Sequence, residues 1–327
     1  MTEPLSTASD LAVAVRAGET RALARAISLV EDGDPMAREL VGMLFPDTGH
    51  AHTIGVTGPP GVGKSTLISA LVTLIRSRGL TAGVISVDPT STFTKGALLG
   101  DRIRLADHFL DPEVFIRSMG TRGHAGGLSE TTLQAVLILD AAGKDVIFVE
   151  TVGTGQNEIG VLSIVDTVVL ALMPGTGDAV QALKAGIMEI PDAIAINKLD
   201  HPQTSMLVAD VRQMLALGSG EVPPIVKTEA LRGEGIEELW AAIEAHKAAL
   251  EAAGELEERR ADNLAAEVFA VSSARARRHL ENAVANDPEL VRLLEDVRRR
   301  KLDPLTAVHE ILRKVFRIDD EDDSDDR

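Results

Sequence analysis

The sequence predicts an α/β protein with a mainly parallel central sheet, helices on both faces, and helical extensions at both ends. Short β-branched apolar runs alternate with helical patterns between residues 52 and 248, and this alternation is typical of parallel sheets. The first run leads into a glycine-rich loop followed by a helical pattern. Every other chemically suggestive motif also falls directly after a run, where ligands of such sheets bind.

The central region, residues 49–248, is predicted to form one domain. Seven runs are predicted to be strands: Ile54–Val56, Val84–Val87, Val114–Ile116, Val146–Val149, Val168–Leu172, Ala193–Ile196 and Ile225–Val226. Four segments have helical periodicity: Thr66–Arg76, Thr131–Ala142, Thr204–Leu217 and Ile236–Lys247.

Both ends of the chain are predicted to be helical. Residues 1–48 contain apolar positions at helical spacing in Leu11–Glu31, interrupted at Gly18, and a second helical segment at Pro35–Leu44. Residues 249–318 contain the candidates Gly254–Ala285, Glu289–Lys301 and Leu305–Phe316.

The last two of these helices carry a clear start signal. Asp287-Pro288 and Asp303-Pro304 each combine an N-cap aspartate with proline at the first helical position. The region suits contacts with a second subunit or a partner, although packing on the core would explain it equally well. Residues 319–327 form an acidic tail that is expected to be disordered.

Composition excludes several classes of function. The net charge of −17 argues against nucleic acid or an anionic membrane as the main partner. The absence of cysteine excludes disulfides and thiolate metal sites. No apolar stretch approaches the ~20 residues that cross a bilayer, and the amino terminus lacks a secretory pattern. We therefore expect a cytoplasmic location by elimination.

The glycine-rich loop after the first strand has the spacing of a phosphate-binding loop. Its glycines let successive N–H groups point at one anion, and the following helix N-terminus adds a partial positive charge. We expect Lys64 to reach the β- and γ-phosphates and the Ser65 hydroxyl to hold Mg²⁺. The loop that would bind a nucleoside triphosphate comprises Gly58, Pro59, Pro60, Gly61, Val62, Gly63, Lys64, Ser65 and Thr66.

A second motif, Asn197-Lys198-Leu199-Asp200, follows the strand Ala193–Ile196. A carboxylate at Asp200 can accept hydrogen bonds from both N1–H and the exocyclic amine of guanine. Adenine would leave that carboxylate unpaired, at a cost of about a few kcal/mol. The order and spacing of the two motifs therefore predict GTP, although Asp200 could instead cap the loop before His201-Pro202.

Acidic residues at strand or loop ends are candidates for the Mg²⁺ site. Asp88 ends the second predicted strand, Glu150 ends the fourth, and Asp101 closes a loop rich in threonine, serine and glycine. Each could be a metal ligand, a group that positions water, or a helix cap.

Several loop residues are candidates for sensing or hydrolysing the γ-phosphate. Gly153 lies three residues after Glu150, and its N–H would distinguish GTP from GDP. Gln156 could orient the attacking water, or it could be an ordinary surface residue. The loop containing Gly175 and Asp178, followed by Lys184, is a second candidate switch. A merely flexible connection is the alternative.

With these motifs assembled, the chain resembles the MeaB/ArgK family of GTPases from about Leu11 to Phe316. Matching stretches are Arg21–Ile27, Gly58–Thr66, Val87–Ser91, Leu99–Asp101, Val149–Gly153 with Gly155-Gln156, Pro174 through Lys184, and Asn197–Asp200. In that family Lys64 and Ser65 match the phosphate and metal residues. Asp88, Asp101 and Glu150 match acidic positions of the Mg²⁺ site, and the segment through Lys184 matches a switch that contacts the partner.

The resemblance implies a slow GTPase that docks on an adenosylcobalamin-dependent acyl-CoA mutase, methylmalonyl-CoA mutase or a relative. It implies a chaperone that gates cofactor loading and reactivation, and a homodimer formed through the C-terminal helices. The base-binding motif departs from the family's usual Thr-Ser-Ala: here it is Thr228-Glu229-Ala230. Two other functions stay open: an ATP-using kinase tied to amino-acid transport, and a scaffold that binds nucleotide without turnover.

Overall fold

All seven predicted strands are present in the computed structural model, which describes residues 7–88, 105–120, 127–151, 162–175, 191–216 and 222–317. The strands are β1 His52–Thr57, β2 Ala82–Asp88, β3 Val114–Gly120, β4 Val146–Thr151, β5 Thr167–Leu172, β6 Ala193–Ile196 and β7 Ile225–Lys227. They form one sheet in the order β3-β2-β4-β1-β5-β6-β7. Every neighbouring pair is parallel, which confirms the predicted fold class.

The described helices correspond to the predicted ones, with shifted ends. They are α1 Ala8–Arg16, α2 Thr20–Asp32, α3 Pro35–Leu44, α4 Lys64–Ser77, α5 Gly127–Ala141, α6 Thr204–Leu215, α7 Ile236–Ala253, α8 Glu255–Asn286, α9 Pro288–Arg298 and α10 Pro304–Phe316. The Gly18 interruption separates α1 from α2, because Gly18 adopts a φ of 71° that ends the first helix.

The predicted starts of α9 and α10 are confirmed. The Asp287 carboxylate accepts hydrogen bonds from the N–H groups of Glu289 and Leu290, and the Asp303 carboxylate accepts from Leu305 and Thr306. The N-cap Asp34 does the same for α3, since it accepts from the Met36 N–H at 2.8 Å. Each cap satisfies donors that the first helical turn leaves without a backbone partner.

Hydrophobic packing covers both faces of the sheet. On one face, α4 and α7 bury Leu71, Ile75 and Trp240 against β1, β2 and β4. On the other face, α1, α2, α3 and α5 share one continuous cluster with β2, β3 and β4. The amino-terminal helices therefore belong to the core of the sheet domain rather than to a separate hydrophobic core.

The strand order places β1 between β4 and β5, where the direction of the chain through the sheet reverses. In open parallel sheets the crevice at this switch point, beyond the carboxyl ends of the strands, is the preferred ligand site. The phosphate-binding loop follows β1 and therefore lies at that point.

The chain divides into two compact units, Met1–Val268 and Phe269–Arg327. The first contains the sheet and all of its covering helices. The second contains the end of α8 together with α9 and α10. Among the described helices, none is long and apolar enough to cross a membrane. The predicted acidic tail, residues 319–327, lies outside the described residues.

Candidate nucleotide-binding site

Two glycines of the loop between β1 and α4 are required by close contacts. A Cβ on Gly58, whose φ is 144°, would lie 2.1 Å from the carbonyl oxygen of Ala171 on β5. A Cβ on Gly63, whose φ is 95°, would lie 2.6 Å from the side-chain nitrogen of Asn197. Because real Cβ atoms do not approach other atoms so closely, the loop can take this course only with glycine at both positions.

Lys64 is the first residue of α4, and its side chain folds back against the backbone of the phosphate-binding loop. Its side chain is buried, and its ammonium donates hydrogen bonds to the carbonyl oxygens of Gly58 at 2.8 Å and Pro59 at 3.0 Å. The positive charge is therefore held beside the helix N-terminus, where an anion bound by the loop's N–H groups would meet both.

A cluster of oxygen donors lies next to the loop. The buried Ser65 hydroxyl donates to Glu150 Oε1 at 2.7 Å, and the Ser86 hydroxyl donates to Glu150 Oε2 at 3.1 Å. Ser65 and Glu150 were both candidates for the Mg²⁺ site from the sequence, whereas Ser86 was not singled out. A serine at the buried position of an otherwise apolar strand, Val84 to Val87, was the available signal.

A hydrogen bond between two threonine hydroxyls joins the ends of β1 and β4. Thr151 donates to Thr57 at 3.0 Å, and both side chains are buried. This contact fixes the point at which the phosphate-binding loop leaves β1 relative to the strand that carries Glu150.

Asn197 connects the phosphate-binding loop with the base-recognition motifs. Its buried side-chain amide donates to the carbonyl oxygen of Val62 at 2.8 Å. Its side-chain oxygen accepts from the N–H of Ala230 at 3.1 Å and from the Thr228 hydroxyl at 3.3 Å. One side chain thus joins the three segments that sequence analysis assigned to nucleotide binding.

The residues after Asn197 turn sharply outward. Lys198 adopts a left-handed conformation with φ of 64°, and the N–H of Leu199 donates to the carbonyl oxygen of Thr228 at 3.1 Å. The Asp200 side chain that follows is 62% exposed. This exposure leaves its carboxylate accessible at the edge of the loop.

Glu229, the departure from the family pattern, is buried beside an arginine. Its carboxylate lies 4.0 Å from the Arg232 guanidinium, which also lies 3.6 Å from Asp200 and 2.8 Å from Glu234. The hydrogen bond to Glu234, followed by the charges of that and the other two carboxylates, raises the pKa of Arg232. Arg232 was not singled out from the sequence, since a surface arginine in a glycine-rich turn has no distinguishing pattern.

The remaining predicted site residues are placed only in part. Asp88 is the last residue of β2, opposite Gly120 on β3, and its side chain lies outside the description. Gly175 forms a turn after β5 with φ of 91°. Asp101, Gly153, Gln156, Asp178 and Lys184 lie outside the described residues.

An apolar groove lies at the opposite, amino-terminal end of the sheet. It lies between α5 and α8, has a cavity volume of about 90 Å³, and is lined mainly by apolar side chains such as Leu133, Leu137 and Leu264. Its charged groups already pair with each other, because Arg260 donates two hydrogen bonds of 2.8 Å to Asp166. The chemistry therefore points to the phosphate-binding loop as the candidate site, not to this groove.

Fold and site together define a P-loop nucleotide-binding protein whose base-recognition loops are of the type that suits guanine. The comparisons with known proteins agree. The sequence model of the family described as methylmalonyl Co-A mutase-associated GTPase MeaB matches residues 23–285. The chain belongs to this family and is a P-loop GTPase, as the resemblance of its motifs indicated.

Individual relatives extend over most of the chain. A protein of Pyrococcus horikoshii is 44% identical over 312 residues, which are 94% of this chain and 98% of the relative. GTPase ArgK of Escherichia coli is 40% identical over 256 residues, covering 75% of this chain and 77% of ArgK. A crystal structure of an LAO/AO transport system kinase has a TM-score of 0.72 and 30% identity, covering 97% of this chain and 99% of that chain.

Proposed function

We propose that the protein binds GTP with Mg²⁺, hydrolyses it slowly, and acts as a chaperone that docks on an adenosylcobalamin-dependent acyl-CoA mutase. In this proposal the nucleotide state gates cofactor loading and the protection or reactivation of the mutase. The mutase is methylmalonyl-CoA mutase or a close relative, as the family's description suggests.

The observation that carries the nucleotide part of the proposal is the bonding of Asn197. Its hydrogen bonds to Val62, Thr228 and Ala230 hold the phosphate-binding loop and the base loops at a fixed separation. This arrangement supports one ligand that spans both, with phosphates at Lys64 and a base at Asp200. The exposed Asp200 carboxylate offers two acceptor oxygens to the N1–H and exocyclic amine of guanine.

The oxygen cluster beside the loop fits Mg²⁺, which prefers hard oxygen ligands. We propose that the Ser65 hydroxyl and the Glu150 carboxylate hold the ion, with Asp88 and Asp101 as further acidic positions. Bound Mg²⁺ would neutralise charge on the phosphate oxygens during transfer. Ser86 holds one oxygen of Glu150 by its hydrogen bond of 3.1 Å and so orients the carboxylate. We also propose that Gly153 senses the γ-phosphate and that Gln156 orients the attacking water.

We propose that the second unit mediates homodimer formation. Its helices expose several large apolar side chains, a composition that supports burial against another copy: Phe269 74%, Val291 38%, Leu305 80% and Val308 51% exposed. Sedimentation of the wild type and of a Leu305→Asp/Val308→Asp variant tests this assignment. A dimer that the double variant converts to monomer is expected, and an unchanged monomer in both would contradict it.

The mutase part of the proposal is tested by mixing purified protein with a cobalamin-dependent acyl-CoA mutase. We expect a complex whose affinity depends on whether a non-hydrolysable GTP analogue or GDP is present, and a higher GTPase rate within it. The segment containing Gly175, Asp178 and Lys184 is the proposed contact, so Lys184→Ala should weaken the complex without weakening GDP binding. No complex in either nucleotide state would contradict the partner assignment.

Similarity to a structure described as a transport system kinase favours a second candidate, an ATP-using kinase. Asp200 argues against it, because adenine cannot donate two hydrogen bonds to that carboxylate. Competition between the two nucleotides decides: ATP that displaces GTP at equal concentration would favour the kinase. A third alternative, a scaffold without turnover, would be favoured if Lys64→Ala abolished nucleotide binding but kept full mutase protection.

A further inference from the structure

The base-binding side of the site contains a charge arrangement that the GTPase assignment does not explain. Glu229 is buried in the motif that should approach the base, and its side chain is only 8% exposed. Asp200, the carboxylate proposed to accept from guanine, lies within reach of the same guanidinium as Glu229. Both carboxylates lie within 4.0 Å of one guanidinium, so without that cation their like charges would repel each other.

The turn that follows Glu229 fixes Arg232 between these carboxylates. Glu229 and Glu234 exchange backbone hydrogen bonds of 2.9 and 3.3 Å, and the N–H of Arg232 donates to the Glu229 carbonyl at 3.0 Å. Gly235 closes the turn with φ of 74°, where a Cβ would lie 2.0 Å from the Lys227 carbonyl oxygen. The backbone position of Arg232 is therefore set by the turn rather than by its exposed side chain.

The base loop that carries Asp200 is tied to the same frame. The Leu199 N–H donates to the Thr228 carbonyl at 3.1 Å, one residue before Glu229. Within the part of the chain that the structure describes, the Asp200 carboxylate has one ion-pair partner, Arg232. The contact with Arg232 is an ion pair at 3.6 Å, so the acceptor sites of the Asp200 carboxylate stay available to guanine.

We propose that Arg232 is a positioning residue for guanine. Its guanidinium holds the Asp200 carboxylate towards the edge of the base and offsets the charge of Glu229. This inference rests on the proposed GTP-binding function and deepens it, since it names the group that lets this base pocket tolerate a glutamate at position 229.

The test compares GDP with inosine diphosphate, which lacks the exocyclic amine that Asp200 should accept from. Dissociation constants for both are measured by calorimetry on the wild type and on Arg232→Ala. We expect the variant to bind GDP about fivefold more weakly, the range of an exposed charge pair. The loss for inosine diphosphate should be smaller, so that the ratio of the two constants moves towards one.

Two further variants separate positioning from a merely structural effect. Glu229→Gln, combined with Arg232→Ala, removes the repulsion and should restore most of the lost GDP affinity. Arg78→Ala is the matched control, because Arg78, at the C-terminal end of α4, also bridges two surface carboxylates, Glu237 and Glu244, and contacts neither Asp200 nor Glu229 in the described ion pairs. It should leave both constants unchanged.

Several outcomes would overturn the inference. Equal losses for both nucleotides in Arg232→Ala would indicate a structural role only. Unchanged or tighter GDP binding would show that Arg232 does not position Asp200, or that it competes with the base. A wild-type protein that binds no GDP would overturn the proposed function as well, whereas normal wild-type binding with an unaffected Arg232→Ala overturns the positioning role alone.

Discussion

Replacing Asn197 with alanine tests the connection between the two halves of the proposed site. The side chain is 4% exposed and makes three hydrogen bonds, to the Val62 carbonyl, the Ala230 N–H and the Thr228 hydroxyl. Alanine would remove all three and would leave the partner groups in a buried region.

The expected loss of folding stability follows from the three polar groups that would lose their hydrogen-bond partner. A buried donor or acceptor left without a partner costs about 1–3 kcal/mol, and the Thr228 hydroxyl can rotate towards another acceptor. We therefore expect Asn197→Ala to lower the free energy of unfolding by about 3 kcal/mol. Because the phosphate loop loses its tie to the base loops, GDP affinity should also fall by at least about tenfold, which is 1.4 kcal/mol.

Urea denaturation and calorimetric titration with GDP measure the two effects. The matched control is Asn286→Ala, which removes an exposed side-chain amide that bonds to the Asn282 carbonyl one helical turn away. The control should change stability by less than about 0.5 kcal/mol and leave GDP binding intact. If Asn197→Ala were as mild as the control in both assays, the bonded connection would not hold the site together.

Three other substitutions follow from the same contacts. Gly58→Ala should destabilise the fold by about 3 kcal/mol or more in urea denaturation, because its Cβ would meet the Ala171 carbonyl at 2.1 Å; wild-type stability would contradict the described loop. Lys64→Ala should reduce GTP affinity by at least about tenfold in calorimetry through loss of the ammonium, with far-ultraviolet circular dichroism unchanged; retained affinity would refute its role. Glu267→Gln should raise stability by about 2 kcal/mol at pH 8 and by little at pH 4.5, and equal effects at both pH values would contradict the reasoning.

The sign of the Glu267 effect follows from its surroundings. Burial, and then the charge of Glu130, raise its pKa from 4.5 to about 7, and its Oε1 has no hydrogen-bond partner among the described residues. Between these pH values the folded state binds more protons than the unfolded state, so stability falls as pH rises from about 4.5 to 7. Glutamine does not ionise, so the variant should lack this decline.

Much of the fold could be predicted from local pattern. The β-branched runs and the loop after β1 predict a parallel sheet covered by helices. The Asp-Pro pairs at 287 and 303 mark helix starts, because an N-cap and a proline act within one turn. The strand order could not be read in this way, since it depends on which apolar faces pack together. The same is true of the shared core that joins α1–α3 to the sheet.

The candidate site could be predicted from the sequence where its motifs are local. The spacing from Gly58 to Ser65 and the pair Asn197 and Asp200 each lie within one segment. Ser86 and Arg232 gain their importance from partners far along the chain, Glu150 and Asp200. A serine within a strand and an arginine within a turn have no periodic signal, so only the folded arrangement reveals them.

The central claim is that the loop after β1 and the loops after β6 and β7 bind one guanine nucleotide. The most direct measurement is calorimetric titration of the Mg²⁺-supplemented wild-type protein with non-hydrolysable analogues of GTP and ATP. We predict one saturable site per chain for the GTP analogue and binding of the ATP analogue weaker by at least about 100-fold. Equal affinity for the two, or no heat with the GTP analogue, would contradict the account.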